Sequence, residues 1–244
     1  MIYKQRGLSR LIKLATDNYT KMTTPNGAAK EWKPQDHVPK EVKTILSKKH
    51  PNYMLAFLNV VQQLKLQKRT GWLDHNINPC ESISDHMYRM GVTSMLIKNS
   101  NVNRDKCVRI ALVHDIAEAL VGDITPFDAV TKEEKHRREW ETIQYLCETI
   151  IKPYNEAAAE EIMDHWLQYE NISSLEARYV KDIDKYEMLV QAFEYEREFG
   201  SDVDLTQFWS AMSSIKTEEV KSWADELFKL REEMLEGRKM QQQE

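Results

Sequence analysis

The chain has 244 residues, a formal net charge of −5, 41% hydrophobic and 30% charged residues, enough for one medium domain with a sizeable core. An acidic average disfavours nucleic-acid polymers and membrane surfaces as partners, since both are anionic, and no apolar run approaches the roughly 20 residues that span a bilayer. Glycine is scarce, at 7, and no GxGxxG or P-loop pattern is present, which removes the commonest nucleotide-binding routes. Three widely spaced cysteines, Cys80, Cys107 and Cys147, suit a reducing compartment better than a disulfide framework. A cytoplasmic location, also nuclear, is the expectation.

Residues 1–48 read as an N-terminal extension and linker. Lys4, Arg6, Arg10, Lys13 and Lys21 face one acid, Asp17, and Leu8, Leu11, Ile12 and Leu14 suggest a short amphipathic helix. Mitochondrial presequences share that composition, but a disordered or upstream-start extension is the preferred reading. Pro25, Gly27, Pro34 and Pro39 mark 23–39 as linker.

Residues 49–240 read as one all-α domain. Over 53–67 the period places either Leu55, Leu58 and Val61 or Ala56, Val60 and Leu64 along one side. Ser82 or Ser84 caps a helix to about Lys98, with Met87, Met90, Val92, Met95 and Leu96 inward. The next helix opens near Arg104 or Asp105 and ends near Gly122, a C-terminal breaker. Lys132 to Ile151 is a helix stopped by Pro153. Helices at 155–169, 175–199, 206–213 and about 216–236 follow, and the tail GRKMQQQE should fray.

The chemistry-bearing stretch is ALVHDIAEALVGDI at 111–124. His114 and Asp115 are adjacent and flanked by Leu112, Val113, Ile116 and Ala117. Charges in apolar company are usually paired or bind metal. Glu118 follows His114 by four and Asp115 by three, which places it on their face of a helix. Asp123 follows the breaker Gly122, and His86 lies upstream in ESISDHMYRM. A His–Asp salt bridge with solvated Glu118 and Asp123 is the bland alternative. A mixed imidazole and carboxylate set suits Mn²⁺, Co²⁺, Fe²⁺ or Mg²⁺ better than structural zinc, which usually takes cysteine.

Four segments in order carry a resemblance: ESISDHMYRM (81–90), RIALVHDIAEALVGDITP (109–126), TKEEKHRRE (131–139) and YVKDIDKYEM (179–188). They resemble the HD-domain 5′-deoxynucleotidases of the HD phosphohydrolase superfamily, over roughly residues 50–200. The resemblance implies an HD-domain helical bundle, usually a homodimer, with a metal site between helices. It implies a substrate, a deoxyribonucleoside 5′-monophosphate, and a divalent cofactor, Mn²⁺, Co²⁺ or Mg²⁺. The implied metal ligands are His86, His114, Asp115 and one acid of KDID. Asp182 and Asp184 stand about 200° apart on a helix, so both cannot face one ion. The family motif, an acid followed by x-x-Glu-Met, selects Asp184 with Glu187 and Met188, and leaves Asp182 solvated. Glu118 and Asp123 are the implied catalytic acids; with the backbone at Ile124 they are also candidates for a second ion. Bacterial members carry an adjacent Arg-Trp pair for phosphate and for the ribose 2′ position. Here the corresponding Arg69 and Trp72 are separated by Thr70 and Gly71. Lys132, Lys135, Arg137 and Arg138 either add phosphate contacts or form a solvated helix face.

The expected reaction is hydrolysis of the phosphate monoester, with Glu118 orienting water, Asp123 near the leaving oxygen and Arg69 on the phosphoryl group. The alternatives are an HD phosphohydrolase acting on cyclic nucleotides, triphosphates or alarmones, and a non-catalytic metal-stabilised scaffold.

Overall fold

The computed structural model describes residues 32–241, so the basic amphipathic segment expected near the N-terminus lies outside the described residues. Eleven α-helices are described: α1 (Pro34–His37), α2 (Lys40–Leu46), α3 (Tyr53–Leu66), α4 (Thr70–Leu73), α5 (Ile83–Ser94), α6 (Arg104–Val113), α7 (Glu118–Val121), α8 (Lys132–Tyr145), α9 (Glu156–Asn171), α10 (Leu175–Phe199) and α11 (Glu218–Gln241). A π-helical turn, Leu146–Ile151, prolongs α8, and 3₁₀ segments Gly200–Asp202 and Thr206–Ser214 link α10 to α11. No strand forms among the described residues; one antiparallel bridge joins Lys68 to Ser82. The all-α expectation holds.

Local sequence explains the helix starts. Asn52, Asn103, Thr131, Asn155 and Ser174 each accept a backbone N–H from the first turn of α3, α6, α8, α9 and α10. Ser82 and Asp85 form a reciprocal capping box on α5, which sets the phase of the helix that carries His86. Gly122 ends α7 at φ +86, a conformation glycine tolerates and most L-residues do not.

Three apolar clusters build the core. The first gathers α2, α3, α7, α8 and α9 around Val60, Leu120, Ile143 and Trp166. The second gathers α5, α6, α10 and α11 around Met90, Ile110, Ile183 and Val220. The third seats Trp72 and Ile77 against Ala192, Tyr195 and Leu205. Of the two stripes open for α3, Ala56, Val60 and Leu64 are buried, while Leu55 and Leu58 are exposed.

Several expectations need correction. Residues 34–46 are not linker: α1 and α2 pack on the domain, and Val38 and Val42 join the first core cluster. The prolines there start helices, a position where their missing N–H costs nothing. Of the five residues expected inward from α5, only Met87 and Met90 are buried; Val92, and Met95 and Leu96 just past its end, are exposed. The helix expected to run unbroken to Gly122 stops at Val113. Tight i to i+3 hydrogen bonds, Ile116 to Val113 and Glu118 to Asp115, carry the chain into α7. The tail stays helical to Gln241.

Candidate metal centre and substrate cavity

His86 comes from the first turn of α5 and is fully buried. Its Nδ1–H donates to Glu187 on α10, and its Nε2 lies 3.2 Å from Asp184 Oδ1, out of line for a hydrogen bond. His114 sits where α6 ends, and its Nδ1–H donates to the Ala111 carbonyl at 2.9 Å. Its Nε2 is 3.0 Å from Asp115 Oδ2, again without a hydrogen bond. Backbone and carboxylate acceptors thus hold both rings by Nδ1 and turn both Nε2 atoms to one point. The ligand atoms of His86, His114 and Asp115 lie within 4.8 Å of one another.

Electrostatics match this geometry. Burial would raise the Asp115 carboxyl, but His114 and Arg69 hold it well below the usual carboxylate range. Asp184 is likewise depressed against its burial, by His86 and His114. Burial and Arg69 oppose charge on His86, yet Glu187 and Asp184 outweigh them and push it up to about 10. A field that holds a proton between two imidazoles and two carboxylates equally suits a divalent cation. The Nε2 atoms without a hydrogen bond and the mixed imidazole and carboxylate donor set fit a divalent metal ion.

A cavity of about 490 Å³ opens from this centre. Asp115, Glu118, Asp123, Ile124 and Asp184 line it, with Arg69, Lys132, Lys135, Lys181 and Lys185 as cations. Glu118 is buried, and its Oε2 has no partner. Burial, then the charges of Asp115 and Asp123, push its carboxyl well above the ordinary value. Arg69 Nη1 stands 3.7 Å from Asp115 and 3.9 Å from Asp123. Asp123 also accepts the Thr70 N–H at 2.7 Å, and its carbonyl accepts the Thr70 hydroxyl at 2.7 Å. The Thr70-Gly71 pair therefore builds the first turn of α4 onto Asp123 and presents Arg69 at its start.

Lys135 stands close to the group considered for a second ion: its Nζ donates to the Ile124 carbonyl at 2.9 Å and is 3.7 Å from Glu118 Oε1. Of the four cations in 131–139, Lys132 and Lys135 face the cavity. Arg137 and Arg138 instead pair with Glu134, and Arg137 also with Glu141. Asp182, expected to be solvated, is buried. It accepts the N–H groups of Lys216 and Thr217 at 2.9 and 2.7 Å, which anchors the approach to α11. The helical offset separates the two acids: Asp182 turns to α11 and Asp184 to the cavity.

Sequence reasoning missed three partners. Glu187 was noted only as part of a motif; it also accepts from Arg89 Nε at 2.6 Å. Its signal was available, since it lies three residues after Asp184 on one face of a helix. Tyr169 donates its hydroxyl to Asp184 Oδ2 at 2.5 Å, and Lys181 lies 3.8 Å above the Tyr169 ring. Neither contact has a local signature, because α9 and α10 meet only in the fold.

The HD domain family model matches residues 61–224. The chain belongs to the HD domain family. Among named relatives, the 5′-deoxynucleotidase YBR242W of Saccharomyces cerevisiae is 69% identical over 208 residues, 85% of each chain. The human 5′-deoxynucleotidase HDDC2 is 50% identical over 143 residues, 59% of this chain and 68% of that one. Among solved structures, the HD domain-containing protein YGK1 has a TM-score of 0.67 at 53% identity, covering 84% of this chain and 99% of that one. The PH0347 protein of Pyrococcus horikoshii has a TM-score of 0.56 at 26% identity, covering 73% and 98%.

Proposed function

We propose that the chain is a metal-dependent 5′-deoxynucleotidase that hydrolyses deoxyribonucleoside 5′-monophosphates to deoxyribonucleosides and phosphate. The observation that carries this is the pair of buried Nε2 atoms of His86 and His114, without a hydrogen bond, beside Asp115, which lines a cation-rich cavity. The names of the yeast and human relatives point the same way.

His86, His114, Asp115 and Asp184 would hold the ion, Mn²⁺, Co²⁺ or Mg²⁺. When bound, it supplies Lewis acidity at the phosphoryl oxygens and lowers the pKa of a bound water. The other steps belong to the chain. Arg69 and Lys135 balance charge that grows on the phosphoryl group. Glu118 combines burial with a raised basicity, which suits it to orient a water and take its proton. Asp123 pairs with Arg69 and would give a proton to the leaving 5′ oxygen. For a second ion at Glu118, Asp123 and the Ile124 carbonyl, Lys135 would have to yield the carbonyl.

A homodimer fits the exposed apolar face of α5 and α6, where Tyr88, Val92, Met95, Leu96 and Leu112 lie uncovered. No helix among the described residues is long and apolar enough to cross a membrane. Cys80, Cys107 and Cys147 are free and buried, which fits a cytoplasmic or nuclear setting.

The test is phosphate release from dAMP, dCMP, dGMP and dTMP beside their ribose counterparts, after chelator treatment and re-addition of each metal. Metal-dependent release from the deoxy set is expected. Release only from diesters or triphosphates would replace the reading with another HD phosphohydrolase activity.

A further inference from the structure

Trp72 is buried to 2% exposure. Its indole N–H donates to Glu81 Oε1 at 2.8 Å, and its ring is flanked by Tyr195 at 5.4 Å and Phe208 at 4.6 Å between centroids. It belongs to the third core cluster and also lines the cavity. Phe208 covers it. A Cβ built on Gly71 would meet Phe208 Cε1 at 3.5 Å, so the phenyl edge lies next to Gly71. Gly71, Phe208 and Met188 all line the cavity. Met188 is one helical turn from Asp184, about 6 Å along α10, close to the step from a phosphate to the sugar of its nucleoside.

Phe208 is also held firmly. Its N–H donates to Leu205 at 3.1 Å. The next residue, Trp209, is buried and lies 4.6 Å from the Arg231 guanidinium. Arg231 is in turn bound twice to Glu196. On the other side Gln207 contacts His75 Nε2 at 2.6 Å, and the His75 ring lies 5.0 Å from Phe208. A fixed apolar plane beside a metal centre discriminates by chemistry: a 2′-hydroxyl pressed against it loses water and gains no hydrogen-bond partner.

We infer that Phe208, seated against Gly71 and stacked on Trp72, is a specificity-determining residue that disfavours a ribose 2′-hydroxyl. This rests on the nucleotidase reading above. Apolar pockets reject an added hydroxyl by on the order of 10- to 100-fold, and that is the preference expected for the deoxy substrate in the unaltered protein.

The test compares the full chain with its Phe208→Ala and Phe208→Leu variants, each loaded with Mn²⁺ and assayed for metal content. kcat/KM is measured for dCMP and CMP, and for dAMP and AMP. Phe208→Ala should lower the deoxy-to-ribo ratio at least about fivefold, mainly through a lower KM for the ribonucleotides, with metal content unchanged. Phe208→Leu, which keeps the cavity wall apolar and filled, should fall between, and it decides the matter if the alanine variant does not fold. Calorimetric binding of CMP in a Glu118→Gln background should tighten when Phe208 is also replaced. A ratio within about twofold of the unaltered protein in both variants overturns the role of Phe208 and leaves the nucleotidase reading intact. Equal rates on deoxy and ribo substrates in the unaltered protein also overturn it. No phosphate release from any monophosphate overturns the nucleotidase reading, and this inference with it.

Discussion

Glu187 on α10 accepts the Nδ1–H of His86 on α5 while it also binds Arg89, one turn further along α5. A single buried carboxylate thus fixes the tautomer of a candidate metal ligand and clamps two helices at the centre.

Partners of this kind orient the ring and raise its basicity, and their loss typically costs 10- to 100-fold in metal affinity. Glu187→Gln should therefore weaken Mn²⁺ binding by about 10- to 100-fold, measured by calorimetric titration. It should leave the helical circular dichroism spectrum unchanged. Undiminished affinity would show that His86 is held by its packing alone.

Glu118 has no partner for Oε2 and a raised carboxyl. Glu118→Gln keeps the shape and removes the base. Turnover should fall by about 100- to 10,000-fold, while nucleotide affinity and metal content stay near those of the unaltered protein. Near-full turnover with metal bound would remove Glu118 from the proton-transfer step.

Asp182 and Asp184 should separate cleanly. Asp182→Ala strips two backbone N–H groups of their buried acceptor and should destabilise the fold by about 1–3 kcal/mol, read from chemical denaturation. Its activity per folded molecule should persist. Asp184→Ala should lose activity and metal with a smaller change in stability. A reversed pattern would exchange the two assignments.

Glu139 provides a pH test. Burial pushes its carboxyl up to about 7, against the pull of Lys135, while the unfolded chain releases that proton near 4.5. Between these values the native state binds the extra proton, so the stability of the fold declines as pH rises from about 4.5 to 7. Glu139→Gln is neutral throughout and escapes that decline. Its unfolding free energy relative to the unaltered protein should rise from pH 5 to pH 8 by about 1–2 kcal/mol, after discounting for Lys135, His136 and Glu170 nearby. A flat or falling difference across that range would mean that Glu139 is ionised in the native state.

The sequence by itself determined the helical class, the caps and the residues able to hold a metal. These are local properties: Ser82 with Asp85, Asn103 and Ser174 announce helix starts within four positions, and His114, Asp115 and Glu118 lie close along the chain. That Asp182 and Asp184 cannot face one ion was also legible, because a helix turns successive residues by a fixed angle; the preference for Asp184 comes from the resemblance to the family motif. The tertiary structure alone decided what surrounds them. Asp182 is buried and not solvated because Lys216 and Thr217, between the 3₁₀ segment and α11, bring two N–H groups to it. Tyr169 reaches Asp184, Lys135 reaches the Ile124 carbonyl, and Phe208 covers Trp72, each across elements with no shared local pattern. Residues 34–46 carry linker-like prolines yet pack as helices, because the first core cluster has apolar surface for Val38 and Val42 to cover. Short-range geometry selects the groups that can do chemistry; long-range packing sets their partners, their charge and the surface a substrate meets.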